Sequence, residues 1–307
     1  MMIDPVTLAV ALIIASTPIL LAATGELVVE KSGVLNLGVE GMMIVGAVAG
    51  FITAVETGSV TLAFLAGMGG GMALSAIFGV LTQFLLSNHV ATGLALTLFG
   101  LGLAALLGVG YPGQSVPSVP DLFPRSMQEI PVAGPILFGH SAMIYFSVLL
   151  VVAVWYVLRH TRTGLILRAV GESHEAAHAL GYKVVRIRFL AILFGGACAG
   201  LGGAFLSVAR VQNWIEGMTA GAGWIALALV VFASWKPWRV LFGAYLFGGI
   251  SALQLRLQAA EIGVPVALLD ASPYLVTIIV LVLISSDRTR AALNAPAALG
   301  KVFHASG

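Results

Sequence analysis

About nine apolar stretches follow one another along the chain, each close to the roughly 20 residues needed to cross a hydrocarbon core of about 30 Å. They cover residues 6–24, 33–55, 60–87, 90–110, 140–158, 189–208, 220–235, 238–256 and 272–286. Segments such as 141–158 and 272–284 are apolar on every side, whereas strands of a membrane barrel alternate polarity over about ten residues, so helices are predicted. The composition, 59% hydrophobic and only 9% charged with a mean hydropathy of +1.04, lies far from that of a soluble globular domain. The expectation is an all-α integral membrane protein: one transmembrane domain over 1–307, a polytopic bundle of about nine transmembrane helices, with a count of about eight to ten compatible with the pattern. The first run follows MMIDP, which carries Asp4 and no basic residue, and reads as a mature helix. The single Cys198 excludes an internal disulfide and a cysteine-based metal site.

Charge sets the orientation. Residues 159–188 hold Arg159, Arg162, Arg168, Lys183, Arg186 and Arg188; if this loop is cytoplasmic, alternation puts Lys31, Lys236, Arg239, Arg288, Arg290 and Lys301 on the same side. Only Arg125, Arg210 and Arg256 remain outside, so the N-terminus is expected outside and the C-terminus in the cytoplasm. Trp155, Tyr156, Trp235 and Trp238 then fall at the cytoplasmic interface and Trp214 at the opposite one, as anchoring rings. The external loop 111–139 contains six of the twelve prolines and is expected to form a short structured cap. Glycines at four-residue steps, Gly195, Gly196, Gly200, Gly202 and Gly203, with Gly67 and Gly71 and with Gly46 and Gly50, mark helix-packing surfaces within or between subunits.

The cytoplasmic loop 159–188 contains a local helix signal. Ser173 can cap, Glu172 and Glu175 favour a helix N-terminus, and Gly181 can adopt a left-handed stop, which predicts about two turns over 174–180. A helix this short needs a surface, and Ala176, Ala177 and Leu180 offer it a small apolar face. On charge alone the loop could equally set topology and touch anionic lipid. Its run Ser173-His174-Glu175-Ala176-Ala177, with Leu180 and Gly181, resembles the Glu-Ala-Ala loop of ABC importer permeases. A second run, residues 30–47, EKSGVLNLGVEGMMIVGA, resembles the N-terminal signature of the branched-chain amino acid, ribose and nucleoside permease superfamily, and most closely its nucleoside or simple-sugar branch. The resemblance implies that the loop carries a coupling helix seated on a separate ATPase. It also implies a second, paralogous permease subunit, an extracytoplasmic solute-binding protein or lipoprotein, and a multi-pass position in a bacterial-type inner membrane. Cofactors are expected only in the partner ATPase, as ATP and Mg; membrane lipid surrounds the chain, and nucleic acid is not an expected partner. A GxxxxGK[ST] phosphate loop does not occur here.

A path for a polar, ring-bearing solute needs amides and hydroxyls among apolar walls. Candidates are Asn36, Glu40, Gln83, Thr92, Thr97 and Gln254, with Phe99 and Phe205 as stacking rings. Asn36 and Glu40, four residues apart, would share one helical face, either beside the path or holding helix ends together. An enzyme is disfavoured: His174 and His178 lack a third metal ligand at useful spacing, and neither paired aspartates nor a His-Glu-x-x-His helix occurs. The chain is therefore read as the permease of an ABC importer for a nucleoside or related ribose-like solute, with a monosaccharide or branched-chain amino acid as alternative cargo. An ion-coupled secondary transporter is the alternative class, but it would more often carry charges at mid-span, of which the predicted spans hold almost none.

Overall fold

The computed structural model describes residues 4–260, 265–285 and 295–304. Arg288, Arg290 and the last residue of the span predicted to 286 lie outside the described residues. Among those described, thirteen helices and no strand form the chain: α1 Pro5–Lys31, α2 Val39–Thr57, α3 Val60–Gly79, α4 His89–Gly108, α5 Arg125–Gln128, α6 Ala133–Leu137, α7 Ala142–His160, α8 Arg162–Glu172, α9 His174–Ala179, α10 Val184–Ala204, α11 Ala222–Phe232, α12 Pro237–Ala259 and α13 Val266–Ser285. A π turn lengthens α3 through Val80–Phe84, and another lengthens α10 through Phe205–Arg210. Seven of the described helices are long and apolar enough to cross a membrane.

Three expectations change. The predicted span 220–235 is the eleven-residue α11, about 16 Å long and roughly half of a hydrocarbon core. It starts late because the preceding connection places Gln212, Gly217, Ala220 and Gly221 at positive φ. The predicted span 33–55 begins only at Val39; residues 32–38 are non-helical, so Asn36 and Glu40 do not share a helical face. The basic loop contains a further helix, α8, whose first turn is capped by Thr161 accepting from the Gly164 amide at 3.1 Å. The external loop forms its cap from α5 and α6, a bridge between Asp121 and Ser141, and a cluster of Phe123, Phe138 and Tyr145 rings.

The helices α1 and α10 cross antiparallel at the centre: Gly202 lies on the Pro18 carbonyl, Gly25 on Cys198, and Gly195 on Val29. α1 packs against α11 and α12 as α10 packs against α2 and α3. The order long helix, irregular connection, helix, tight turn, helix thus occurs twice in opposite directions, and each long helix is wedged into the pair that follows the other. The predicted glycine series lies inside this arrangement. Gly200 sits between Gly46 of α2 and Gly67 and Gly71 of α3, while Gly203 meets the Met43 carbonyl and Gly196 meets Ser75. Backbone approaches this close admit no Cβ, so these glycines pack helices within the chain. Ser16, Thr17 and Thr24 of α1 return their hydroxyls to the carbonyls one turn back, which removes the cost of burying them.

Replacing Gly200 with Leu inserts a side chain between three backbones and is expected to destabilise the fold by about 1–3 kcal/mol or more. Thermal unfolding of the purified chain in detergent measures this, and an unchanged midpoint would contradict the seam.

Candidate functional site

The first turn of α2 is buried from all sides. Gly41 abuts the Leu96 carbonyl at 2.7 Å from a built Cβ, Gly93 abuts the Leu37 amide at 2.8 Å, and Gly100 abuts the Gly41 backbone at 2.8 Å, so α2 and α4 meet backbone to backbone. Thr97 donates its hydroxyl to the Leu37 carbonyl at 3.0 Å, fixing the non-helical residues 32–38 against α4. Asn36 closes the turn: its Oδ1 accepts from the Gly38 amide at 3.0 Å, its Nδ2 lies 3.4 Å from the Met42 sulfur, and its own amide donates to Glu26 Oε1 at 3.3 Å. Asn36, Thr97 and Glu40 are therefore one cluster, assembled by a glycine-lined contact.

Glu40 is the second residue of α2, only 4% exposed, and its carboxylate points at the start of α11. Oε1 accepts from the Thr219 hydroxyl at 2.6 Å and from the Gly221 amide at 2.9 Å; Oε2 accepts from the Gly223 amide at 2.7 Å. Gly223 is itself required, since a Cβ there would lie 2.5 Å from the Glu40 backbone. A helix N-terminus exposes unpaired amides and carries partial positive charge, so a carboxylate set against it satisfies both. Residues 219–223 had no place among the sequence-derived candidates. The Gly221-Ala222-Gly223 spacing is their only local signal, and it does not name the carboxylate it receives.

The other candidates are dispersed. Gln83 is buried, with its amide nitrogen 3.2 Å from the Thr82 hydroxyl and 3.5 Å from His89 Nε2, and Thr92 lies buried on the same α4 helix. Phe205 is enclosed among Leu21, Phe64, Ile144, Leu201 and Ala204. Gln254 is half-buried on α12. Phe99 is 53% exposed on the outside of α4 and belongs to neither cluster.

Buried carboxylates are more numerous than the predicted spans suggested. α1 continues to Lys31, past the expected end at 24, and carries Glu26 and Glu30 into the interior with Glu40 nearby through Asn36. Glu30 accepts from the Trp235 indole nitrogen. Trp235 is thus a buried strut, turned inward by positive φ at Ser234 and Trp235, and not an interfacial anchor. Trp214, expected at the opposite interface, is also buried, packed on Gly108 within a cluster of Ile44, Val48, Phe51 and Ala104.

At one end of the bundle, Ser173 caps α9 by accepting from the Ala176 amide at 3.2 Å, and Gly181 ends it with φ +87°. Ala176, Ala177 and Leu180 do not share a face. His174 and Ala177 turn into the protein, Ala177 against Val170, Val184 and Phe303, whereas Glu175, Ala176, Ala179 and Leu180 are exposed. Leu180 is an apolar residue left 76% exposed among the described residues. Beneath α9 lies Arg188, fully buried, which donates to the Ser32 carbonyl at 3.2 Å, the Lys301 carbonyl at 3.1 Å and His174 Nδ1 at 3.1 Å.

Glu40→Gln keeps the shape but loses charge and at least one acceptor at the α11 N-terminus, and is expected to cost about 1–3 kcal/mol. Thr219→Val should cost less, and the two together less than their sum, because both act on Glu40 Oε1. Unfolding midpoints of the two single variants and the double variant check this; strict additivity would contradict the contact.

A family model described as a branched-chain amino acid transport system permease component matches residues 8–285. The chain is 47% identical over 252 residues to a "Putative glucose ABC transporter permease protein" of Haloferax volcanii, covering 81% of this chain and 77% of that one. It is 32% identical over 286 residues to the nucleoside ABC transporter permease protein NupC of Lactococcus lactis, covering 89% and 90%. It is 29% identical over 288 residues to the guanosine ABC transporter permease protein NupQ of Bacillus subtilis, covering 88% and 89%.

Proposed function

Because the chain belongs to the permease components of branched-chain amino acid transport systems, and so is a multi-pass ABC transporter permease, we propose that it forms part of the import path for a nucleoside or related ribose-like solute. In this reading a separate ATPase, holding ATP and Mg, docks on α9. A second permease subunit completes the path, and an extracytoplasmic binding protein delivers the solute. The positive charge of 159–188 supports a cytoplasmic position for α9 in this reading, with the chain in a bacterial-type inner membrane.

The observation that carries the docking role is the division of α9 into two faces. His174 and Ala177 hold it to the bundle, while Glu175, Ala176, Ala179 and Leu180 are left open at its tip. A helix of six residues has no stability of its own, so one held rigidly with an uncovered apolar tip is suited to transmit a push. The cargo reading rests on the run from Glu30 to Met43 and on two nucleoside-named relatives that span nearly all of the chain. A simple sugar is the second reading, favoured by the 47% identity to the Haloferax volcanii protein. Among the path candidates, Asn36, Glu40 and Thr97 are occupied by bonds within the chain and suit a gate that keeps its shape. Phe99 is the ring still open to a solute or to the second permease.

Two experiments test these parts. Bulky replacement on the open face, Ala176→Trp or Glu175→Trp, should reduce solute moved per ATP by about tenfold or more while the binding protein keeps its affinity; unchanged transport would remove the docking role. Competition of uptake by nucleosides, pentoses, hexoses and branched-chain amino acids identifies the cargo: inhibition by nucleosides supports the first reading, and inhibition by glucose without effect of any nucleoside replaces it with the second.

A further inference from the structure

The described segment 295–304 lies far from α9 in sequence yet passes directly beneath it. The Ala298 amide donates to the Gly171 carbonyl at 2.9 Å, where α8 approaches α9, and the Gly300 amide donates to the Gly33 carbonyl at 3.1 Å, in the connection before α2. Phe303 is buried between the rings of His174 and His178, with centroids at 5.2 and 5.3 Å, and packs on Val170, Ala177 and Val184. Arg188 binds all three segments at once through the Ser32, Lys301 and His174 contacts. Gly33 is matched to this hinge: its φ of +88° is open to glycine, and a Cβ there would lie 2.8 Å from an Arg188 terminal nitrogen.

From this convergence we propose that residues 298–303 are a strap that, with Arg188, positions α9 and ties its movement to residues 32–38 and so to the first turn of α2. Arg188 and Phe303 are positioning residues: neither sits at the cluster around Glu40, and Phe303 offers nothing to the open face of α9. The proposal rests on the reading of α9 as the docking helix, and it adds a route inward from that helix. The route runs from His174 through Arg188 to Ser32, then along the turn closed by Asn36, to Glu40.

The strap has a protonation requirement. Arg188 has only N–H donors, so His174 Nδ1 must be free of its proton to accept from it. Burial and the Arg188 charge hold the His174 pKa below the ordinary histidine value of 6.5; Lys301 acts in the same direction and Glu175 against it. A group whose folded pKa is depressed is neutral and fully stabilising above the unfolded value. That contribution is lost as pH falls below about 6.5.

Hydrogen exchange across residues 173–182 in the intact permease reads the strap without any transport assay. Phe303→Ala should raise exchange there several-fold over wild type, and unchanged exchange overturns the proposal. In vesicles with the ATPase and binding protein, the same variant should lower solute moved per ATP with little change in the ATPase rate. The wild type should keep its coupling at pH 7.5 and lose it as pH falls below about 6.5, and His174→Asn, whose amide oxygen accepts from Arg188 at any pH, should flatten that profile whatever its absolute rate. A profile equally steep in His174→Asn would overturn the role of the Arg188 contact. If the wild type shows no ATP-driven uptake, the docking reading fails, and the exchange measurement still decides whether the strap positions α9.

Discussion

The N-termini of α2 and α11 converge on one carboxylate, and the interior of the protein is arranged around the need to keep it there. A half-length helix leaves its first amides without partners inside the bundle, and at membrane depth no water is available to satisfy them. Glu40 supplies both acceptor atoms and negative charge: three donors from residues 219–223 close on its two oxygens. Gly41, Gly93 and Gly100 seat the start of α2 against α4, and admitting the carboxylate at α11 requires Gly223. The central crossing of α1 and α10 then holds the two helix groups so that these ends face each other.

The fully buried Arg188 organises one end of the bundle as Glu40 organises the interior. One is a cation held by two carbonyls and an imidazole; the other is an anion held by amides and a hydroxyl. Such sites are sensitive to the loss of any one partner, because a buried charge with an empty coordination position is costly. They are also geometrically exacting, since each partner must stay in place. Residues 32–38 connect the two: Ser32 bonds Arg188, Asn36 closes the turn, and Glu40 begins the helix beyond it. In the proposed strap, a displacement of α9 would reach the interior through Arg188 and then along the backbone of residues 32–38.

Much of this could be read in the sequence, for physical reasons that vary by element. Long apolar helices announce themselves because crossing a membrane demands length and composition together, and the small residues of the central seam recur at helical steps. The cap and stop of α9 are local, set by Ser173 and Gly181. What the sequence hid was pairing across distance. Glu40 and residues 219–223 are about 180 positions apart, and Arg188 and Lys301 are 113 apart. Apolar patterning also obscured the short α11, since eleven apolar residues flanked by further apolar residues look like a longer span. It misplaced Trp235 and Trp214 as well, because a tryptophan near a helix end reads as an interfacial anchor unless its buried partners, such as Glu30, are seen.

In the proposed function the push of a separate ATPase on α9 moves the solute, although the interior holds, among the described residues, three buried carboxylates of the kind an ion-coupled carrier uses. Uptake into proteoliposomes containing the chain with its ATPase and second permease, supplied with the binding protein, measures this most directly. Uptake is expected to require ATP and to persist when an ionophore collapses every ion gradient. Uptake that proceeds without nucleotide and disappears with the ionophore would contradict it.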